Sequence, residues 1–313
     1  MWSNRKKPNL HMDNIMTAVQ DSLSPDFIAQ IKGLDIKARL VVEGFLTGLH
    51  KSPYHGFSVE FAEYRSYMPG DEIKRIDWKA LARSDRYYVK EFEEETNLKA
   101  YLLLDCSASM GYHKKGGLSK YQYGACLAAA LSLLLLNQHD AAGLATFREG
   151  ISNFMAPSSR RSHWRQMLEL LDREIPGGRT DFEKIFYDLA GHLKRRGLII
   201  LISDLWDGSN AVLKALKHFR HLKHEVLLFH LLDHDELSLP FSGELSFEDM
   251  ETGERIQLDM AGAAPEYQKA VTNWREGLNR ECRKDFIDYV PLDTKTPFDK
   301  ALLSYLHKRQ RLG

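Results

Sequence analysis

Asp105, Ser107 and Ser109 place a side-chain oxygen at every second position of the segment Asp105-Cys106-Ser107-Ala108-Ser109-Met110-Gly111. Alternation within a turn aims such oxygens at one point. Two other segments offer the same chemistry: Asp204 follows the apolar run from Leu198, and Gly177-Gly178-Arg179-Thr180-Asp181 opens a predicted helix. A carboxylate pair joined by hydroxyls from three loops makes an all-oxygen shell, which suits a hard divalent cation such as magnesium or manganese. The same residue types also serve as ordinary helix N-caps, and Thr180 with Glu183 forms a capping box that needs no metal. Their joint occurrence is what favours the metal.

Other groupings are weaker. His218, His221 and His224 recur at helical spacing, with His230 and His234 beyond, but no cysteine or carboxylate pattern of a zinc site accompanies them, so they read as surface histidines. Cys106 has no histidine beside it to act as base and reads as a small filler. Gly111, Gly116 and Gly117 suggest a phosphate loop, yet Gly117 stands where such a loop requires lysine.

The elements that must position these residues are legible from residue 98 onward. Ala100 to Leu104 is an apolar run of strand length, followed by a polar turn and a long apolar helix from Lys120 to Asn137. Strands then recur at 142–147, 198–202, 226–232 and 286–292, alternating with helices at 162–171, 182–193, 211–219, 265–283 and 298–308. Uniformly apolar strands alternating with helices predict an α/β fold: a doubly wound, mostly parallel sheet buried on both faces. Ligands of such sheets bind beyond the carboxyl ends of the strands, where Asp105 and Asp204 fall. A hairpin insertion around Glu251-Thr252-Gly253-Glu254 spans 244–258. Before residue 98 the chain mixes aromatic, charged and turn residues, with helical spacing over 13–50 and short strand-like pieces over 57–96. The reading is therefore two units, a small mixed N-terminal module over 1–98 and an α/β domain over 99–313.

Composition narrows the function. The 313 residues balance 43 Lys and Arg against 43 Asp and Glu, which removes the electrostatic driving force for nucleic acid or anionic lipid. The longest apolar stretch, Ala125 to Leu136, is too short to cross a bilayer, so membrane insertion is not expected. Three scattered cysteines and a charged N-terminus without an apolar run to follow it point to a cytoplasmic protein.

At these residues the chain resembles known proteins. Asp105, Ser107 and Ser109 after the first strand, Thr180 after the second helical region and Asp204 after a later buried strand are similar to the metal-ion-dependent adhesion site of the von Willebrand factor A domain. Upstream, Gly48-Leu49-His50-Lys51-Ser52-Pro53-Tyr54-His55-Gly56 is followed by Tyr64-Arg65-Ser66-Tyr67-Met68-Pro69-Gly70-Asp71, by Arg75-Ile76-Asp77-Trp78-Lys79, by Ala82-Arg83 and by Val89 to Glu95. This string resembles the bacterial domain-of-unknown-function 58 family, in which it directly precedes a von Willebrand A-like domain.

The resemblance implies Ser107, Ser109 and Thr180 as direct ligands of Mg2+ or Mn2+, with Asp105 and Asp204 as direct or water-mediated partners. It also implies an open coordination place taken by a partner's carboxylate, so that the metal bridges two proteins and no bond is broken. The implied partners are a MoxR-type AAA+ ATPase and protein clients, in chaperone-like maturation or assembly. Arg179 departs from this picture, because a guanidinium beside Thr180 would compete with a cation. Arg65, Asp71, Arg75, Asp77, Arg83 and Lys90 read as an ion-pair network pinning the front module, with a docking surface as the rival. Two further alternatives to the adaptor are a metal-free scaffold and a magnesium-dependent phosphohydrolase with Asp105 as nucleophile, although such enzymes need a second aspartate where Ser107 stands.

Overall fold

The structure is a computed structural model that describes residues 23–51, 64–66, 88–90, 98–113, 116–193, 196–206 and 209–310. Most of the upstream string and the side chains of the expected front network lie outside the described residues.

A six-stranded sheet organises the chain. Its strands are β3 (Lys99–Asp105), β4 (Ala141–Phe147), β5 (Ile151–Ser158), β6 (Leu198–Ser203), β7 (Glu225–Leu232) and β10 (Asp288–Asp293), in the spatial order β10-β7-β6-β3-β4-β5. All pairs are parallel except β4 with β5. The chain runs outward from β3 to one edge, then jumps back to β6 and runs to the other edge. Strand order therefore reverses between β3 and β6, which is the switch point at which doubly wound sheets bind ligands. A short antiparallel pair, β1 (Tyr64–Ser66) with β2 (Tyr88–Lys90), and the hairpin of β8 (Glu244–Glu248) with β9 (Arg255–Asp259) are separate sheets.

Side chains alternate across the strands and build two cores. Leu102, Leu104, Ile200, Ile202, Leu227 and Phe229 face one side, and Tyr101, Leu103, Ile199, Leu201, Val226 and Leu228 the other. Helix α3 (Lys120–Asn137) covers the first face. It is apolar on nearly every side because the sheet lies beneath it, while α2 (Leu34–Lys51), α4 (Arg161–Arg173) and α9 (Phe298–Gln310) press on it from outside. Residues of α1 (Pro25–Gln30) and α2, including Ile28, Val41 and Phe45, share this core. The opposite face is covered by α5 (Phe182–His192), α6 (Ser209–His221) and the end of α8 (Met260–Lys284), which supplies Leu278 and Cys282.

Helix α8 starts five residues before the expected Pro265. The Asp259 carboxylate accepts the Ala261 N–H and caps the helix there, and Pro265 is tolerated near its start. His224 and His230 are buried, at 2 % and 1 % exposure, rather than on the surface. His230 belongs to β7, whose residues after the first are all buried, so periodicity with the neighbouring helix misplaced it.

Strand β5 closes the sheet antiparallel and leans closely on β4. A methyl group on Gly143 would come 2.7 Å from the Met155 carbonyl oxygen and 2.8 Å from the Pro157 nitrogen, beside an irregularity in the register. Backbone atoms cannot yield as a side chain would. Gly143→Ala should therefore cost about 1–3 kcal/mol by urea denaturation. A change below about 0.5 kcal/mol would show that β5 shifts freely.

Candidate metal centre at the strand switch point

All five expected residues lie on three neighbouring loops. Asp105 ends β3, Asp204 follows β6, and Thr180 stands on the loop before α5. Two backbone hydrogen bonds lock that loop to the first one: Ala108 N–H donates to Gly178 O at 3.0 Å and Gly177 N–H to Cys106 O at 2.9 Å. Gly178 has φ +74°, a conformation that suits glycine and turns the loop toward the strand ends.

The side chains converge. Ser107 and Ser109 hydroxyls are 3.1 Å apart, and Thr180 Oγ1 is 3.5 Å from Asp105 Oδ1, an approach too long to be a strong hydrogen bond. Asp105 Oδ1 accepts the Ser107 N–H at 2.9 Å, while Oδ2 accepts the Ser203 hydroxyl at 2.6 Å. The same Ser203 oxygen accepts the Leu205 N–H at 3.0 Å. Leu205 is buried with φ +57°, a left-handed conformation that costs a non-glycine residue about 1–3 kcal/mol and marks this turn as held in place by its surroundings.

Helix capping does not account for these oxygens. Helix α3 is capped by Ser119, in a box with Gln122, and α5 by Asp181, whose carboxylate accepts the Lys184 N–H. Thr180 is thus one residue too early to be the cap and is left facing Asp105. The short 3-10 turn Ser109–Gly111 has no side-chain cap.

The electrostatics call for positive charge. Asp105 and Asp204 are each 1 % exposed. Burial, and next the charge of Asp204, push the Asp105 carboxyl up to about 6. Lys120, which sequence reasoning missed, supplies part of the compensation. Its ammonium is fully buried and donates to Asp204 Oδ2 at 2.7 Å and to Glu236 Oε1 at 2.6 Å. Burial alone would lower the lysine, but the two carboxylates outweigh it and hold Lys120 above its ordinary value. Glu236 is raised by burial, and its other oxygen accepts the Asp233 N–H in the capping box of α7 (His234–Ser238). On the far side His230 is driven by burial to about 4 and is neutral, so Nε2–H donates to the Asp204 carbonyl at 3.0 Å while Nδ1 accepts from Tyr289 at 2.7 Å.

This donor set fits a hard cation. Among the described residues no group of three or more His, Cys, Asp or Glu could hold a metal ion, so an ion at this place would depend on the hydroxyls, which magnesium and manganese accept and zinc does not favour. Asp105 keeps lone pairs beyond those its hydrogen bonds use. Both Asp204 oxygens are already engaged, by Lys120 and by the Trp206 N–H at 3.3 Å, which suits a partner acting through water. Arg179 is 62 % exposed and pairs with Glu251 at 3.7 Å. Of the five candidate residues, Thr180 alone lines an open depression, together with Glu149, Arg179, Asp181, Phe182 and Glu183. Cys106 is buried and its thiol is pushed well up, chiefly by desolvation, which leaves no thiolate for nucleophilic work.

Strand order and the switch point define a von Willebrand factor A-like α/β domain. The family model described as "Protein of unknown function DUF58" matches residues 63–277, and the chain belongs to that family. The uncharacterised protein Rv1480 of Mycobacterium tuberculosis is 28 % identical over 296 residues, covering 92 % of this chain and 91 % of that protein. YeaD of Bacillus subtilis, also uncharacterised, is 36 % identical over 64 residues, 20 % of this chain and 16 % of that protein. Among solved structures, BatB of Bacteroides thetaiotaomicron aligns over 68 % of this chain and 99 % of its own, with 16 % identity and a TM-score of 0.45.

Two predictions follow from the charge arrangement. Lys120→Met leaves Asp204 and Glu236 buried without their shared cation and should cost about 3–5 kcal/mol in urea denaturation, whereas a loss under about 1 kcal/mol would mean that water already screens the pair. In chelator-treated protein, the raised Asp105 carboxyl contributes stability that is present below about pH 4 and is lost as pH rises through about 6. Asp105→Asn should therefore exceed the wild type in stability at pH 7, by on the order of 3 kcal/mol, and lose that advantage near pH 4. An advantage that does not change with pH would disprove the charge strain.

Proposed function

We propose that this chain is a non-enzymatic interaction adaptor that binds partner proteins through a hard divalent cation, Mg2+ or Mn2+, at the β3/β6 switch point. The observation that carries the reading is that the Thr180 hydroxyl approaches the Asp105 carboxylate and the Ser107 and Ser109 hydroxyls meet one another on the turn that Asp105 begins, while the helix caps are made by other residues. The bound ion would supply an electrophilic point that attracts an Asp or Glu from another protein. Three neutral hydroxyls as direct ligands leave it more positive than a ring of carboxylates would. Asp105 and Asp204 orient and balance the site, Ser203 and the Ser107 N–H fix Asp105, and Lys120 offsets the charge of Asp204.

Geometry speaks against Asp105 as a phosphohydrolase nucleophile. It is 1 % exposed, both its oxygens accept hydrogen bonds, and a hydroxyl rather than a carboxylate stands two residues on. Family membership and the resemblance of the upstream string support the further reading, in which a MoxR-type AAA+ ATPase supplies energy and this chain engages it or its clients during chaperone-like maturation. Among the described residues no helix is long and apolar enough to cross a membrane.

Metal and partner binding are tested together. Mg2+ or Mn2+ at about 100 times its Kd should stabilise the fold by about 3 kcal/mol, seen as a raised melting temperature, and Asp105→Ala should abolish the gain. A gain of equal size in both proteins would place the ion elsewhere. Binding of a co-encoded ATPase or client, measured by calorimetry at fixed salt, should fall with chelator and with Ser107→Ala plus Ser109→Ala, and should recover with magnesium only in the wild type. Binding that ignores both treatments would make the fold a metal-free scaffold.

A further inference from the structure

The hairpin of β8 and β9 stands apart from the central sheet, and its two faces differ. Leu245 lies opposite Leu258 and Phe247 opposite Ile256, so these four apolar side chains share one face. Glutamates, Ser246, Arg255, Gln257 and Asp259 take the other. The apolar face is covered unevenly. Leu245 and Phe247 are half-buried, and Phe241 packs edge-on against Phe247, whereas Ile256 and Leu258 are 54 % and 36 % exposed. Every residue of β9 is exposed, and among the described residues this strand pairs with β8 alone. The uncovered side of the hairpin is therefore the outer edge of β9.

Hydrogen-bond parity says which backbone groups that edge offers. Asp249 N–H donates to Glu254 O and Met260 N–H to Gly243 O, both in the register of the hairpin. Bonded pairs alternate along an antiparallel ladder, so Ile256 and Leu258 turn their amides toward β8, and Arg255, Gln257 and Asp259 turn theirs outward. Open edges are usually blunted. Both edge strands of the six-stranded sheet carry a proline, Pro157 in β5 and Pro291 in β10, and β9 carries none.

We propose that this chain forms a two-fold dimer by antiparallel pairing of β9 with β9 of a second copy, centred on Gln257. Under a two-fold axis one patch must complement itself, and this one does. Each outward-facing residue meets an outward-facing residue: Gln257 meets Gln257 of the second copy, and Arg255 meets Asp259. Arg255 already bonds Glu248 across its own hairpin, but its side chain is 70 % exposed and keeps donors for a second carboxylate. On the apolar face Ile256 lies against Leu258 of the second copy, which covers the two residues that the hairpin leaves open. Other registers fail. Centring on Arg255 or Asp259 sets like charges on the axis, and pairing through β8, centred on Ser246, opposes Glu244 to Glu248 twice. Five residues from each copy make a small interface, of the class seen in transient complexes. None of them belongs to the candidate metal centre, so the dimer is independent of the metal reading.

Sedimentation of the full-length protein over a concentration series, combined with a charge swap, tests the pairing. Arg255→Asp sets two acids against each other on both sides of the axis, and Asp259→Arg sets two guanidiniums. Each variant alone should dimerise about tenfold more weakly than the wild type. An equimolar mixture should recover the wild-type constant, because the heterodimer again has two opposite-charge pairs. Asp259 also caps α8, so Gln257→Cys provides a second arm that spares the cap. Residues bonded across such a pair have Cα atoms about 5.5 Å apart, within disulfide reach. Mild oxidation should link Gln257→Cys into a dimer and leave Ser246→Cys, the matching position of β8, a monomer; the three native cysteines are buried. A wild type that stays monomeric at every concentration would overturn the dimer and leave the edge to a strand of another protein. Folded charge variants that fail to recover on mixing, or crosslinking without preference for Gln257, would overturn it equally.

Discussion

Two carboxylates buried at the ends of adjacent parallel strands, Asp105 and Asp204, are the constraint around which the rest of this protein is arranged. In a low-dielectric interior their mutual repulsion and lost hydration amount to several kcal/mol. Each neighbouring element answers part of that cost. Ser203 and the Ser107 N–H hold Asp105, the Trp206 N–H and Lys120 hold Asp204, and the neutral His230 fixes the strand end by donating to its carbonyl. One ammonium, that of Lys120, is shared between Asp204 and the half-buried Glu236, while Asp105 is held by hydrogen-bond donors.

Placement of the two carboxylates follows from topology. Because the chain reverses its direction of travel across the sheet between β3 and β6, the loops after these strands splay apart and leave the crevice in which the oxygens meet. The apolar strands and the enclosed helix α3 make that frame stiff, with core on both faces of every central strand. Function is then delegated to loops. Lys120, the first residue of α3, ties the rigid core directly to the site, and Glu236 ties the segment after β7 to the same point.

Much of this frame was legible in the sequence because its signals are local. Leu198 to Ile202 and Val226 to Leu232 are apolar runs that only a strand buried on two faces explains, and the oxygens of Asp105, Ser107 and Ser109 declare themselves by spacing. Strand β5 escaped because Asn153, Pro157 and two serines give an edge strand no clear alternation. Lys120 escaped for a different reason: its partners lie 84 and 116 residues away, and a lysine beside a cap reads as solvated. A signal was present nonetheless, since a cation in the first turn opposes the helix dipole and this one opens an otherwise apolar helix.

The central claim is that a hard cation completes the β3/β6 crevice through hydroxyls rather than through a ring of acids. Anomalous scattering from crystals soaked in Mn2+ tests it most directly. The account predicts a single strong peak within about 2.0–2.3 Å of the Ser107, Ser109 and Thr180 oxygens, with Lys120 still paired to Asp204. A crevice without a peak at saturating Mn2+, or a peak elsewhere on the molecule, would contradict it.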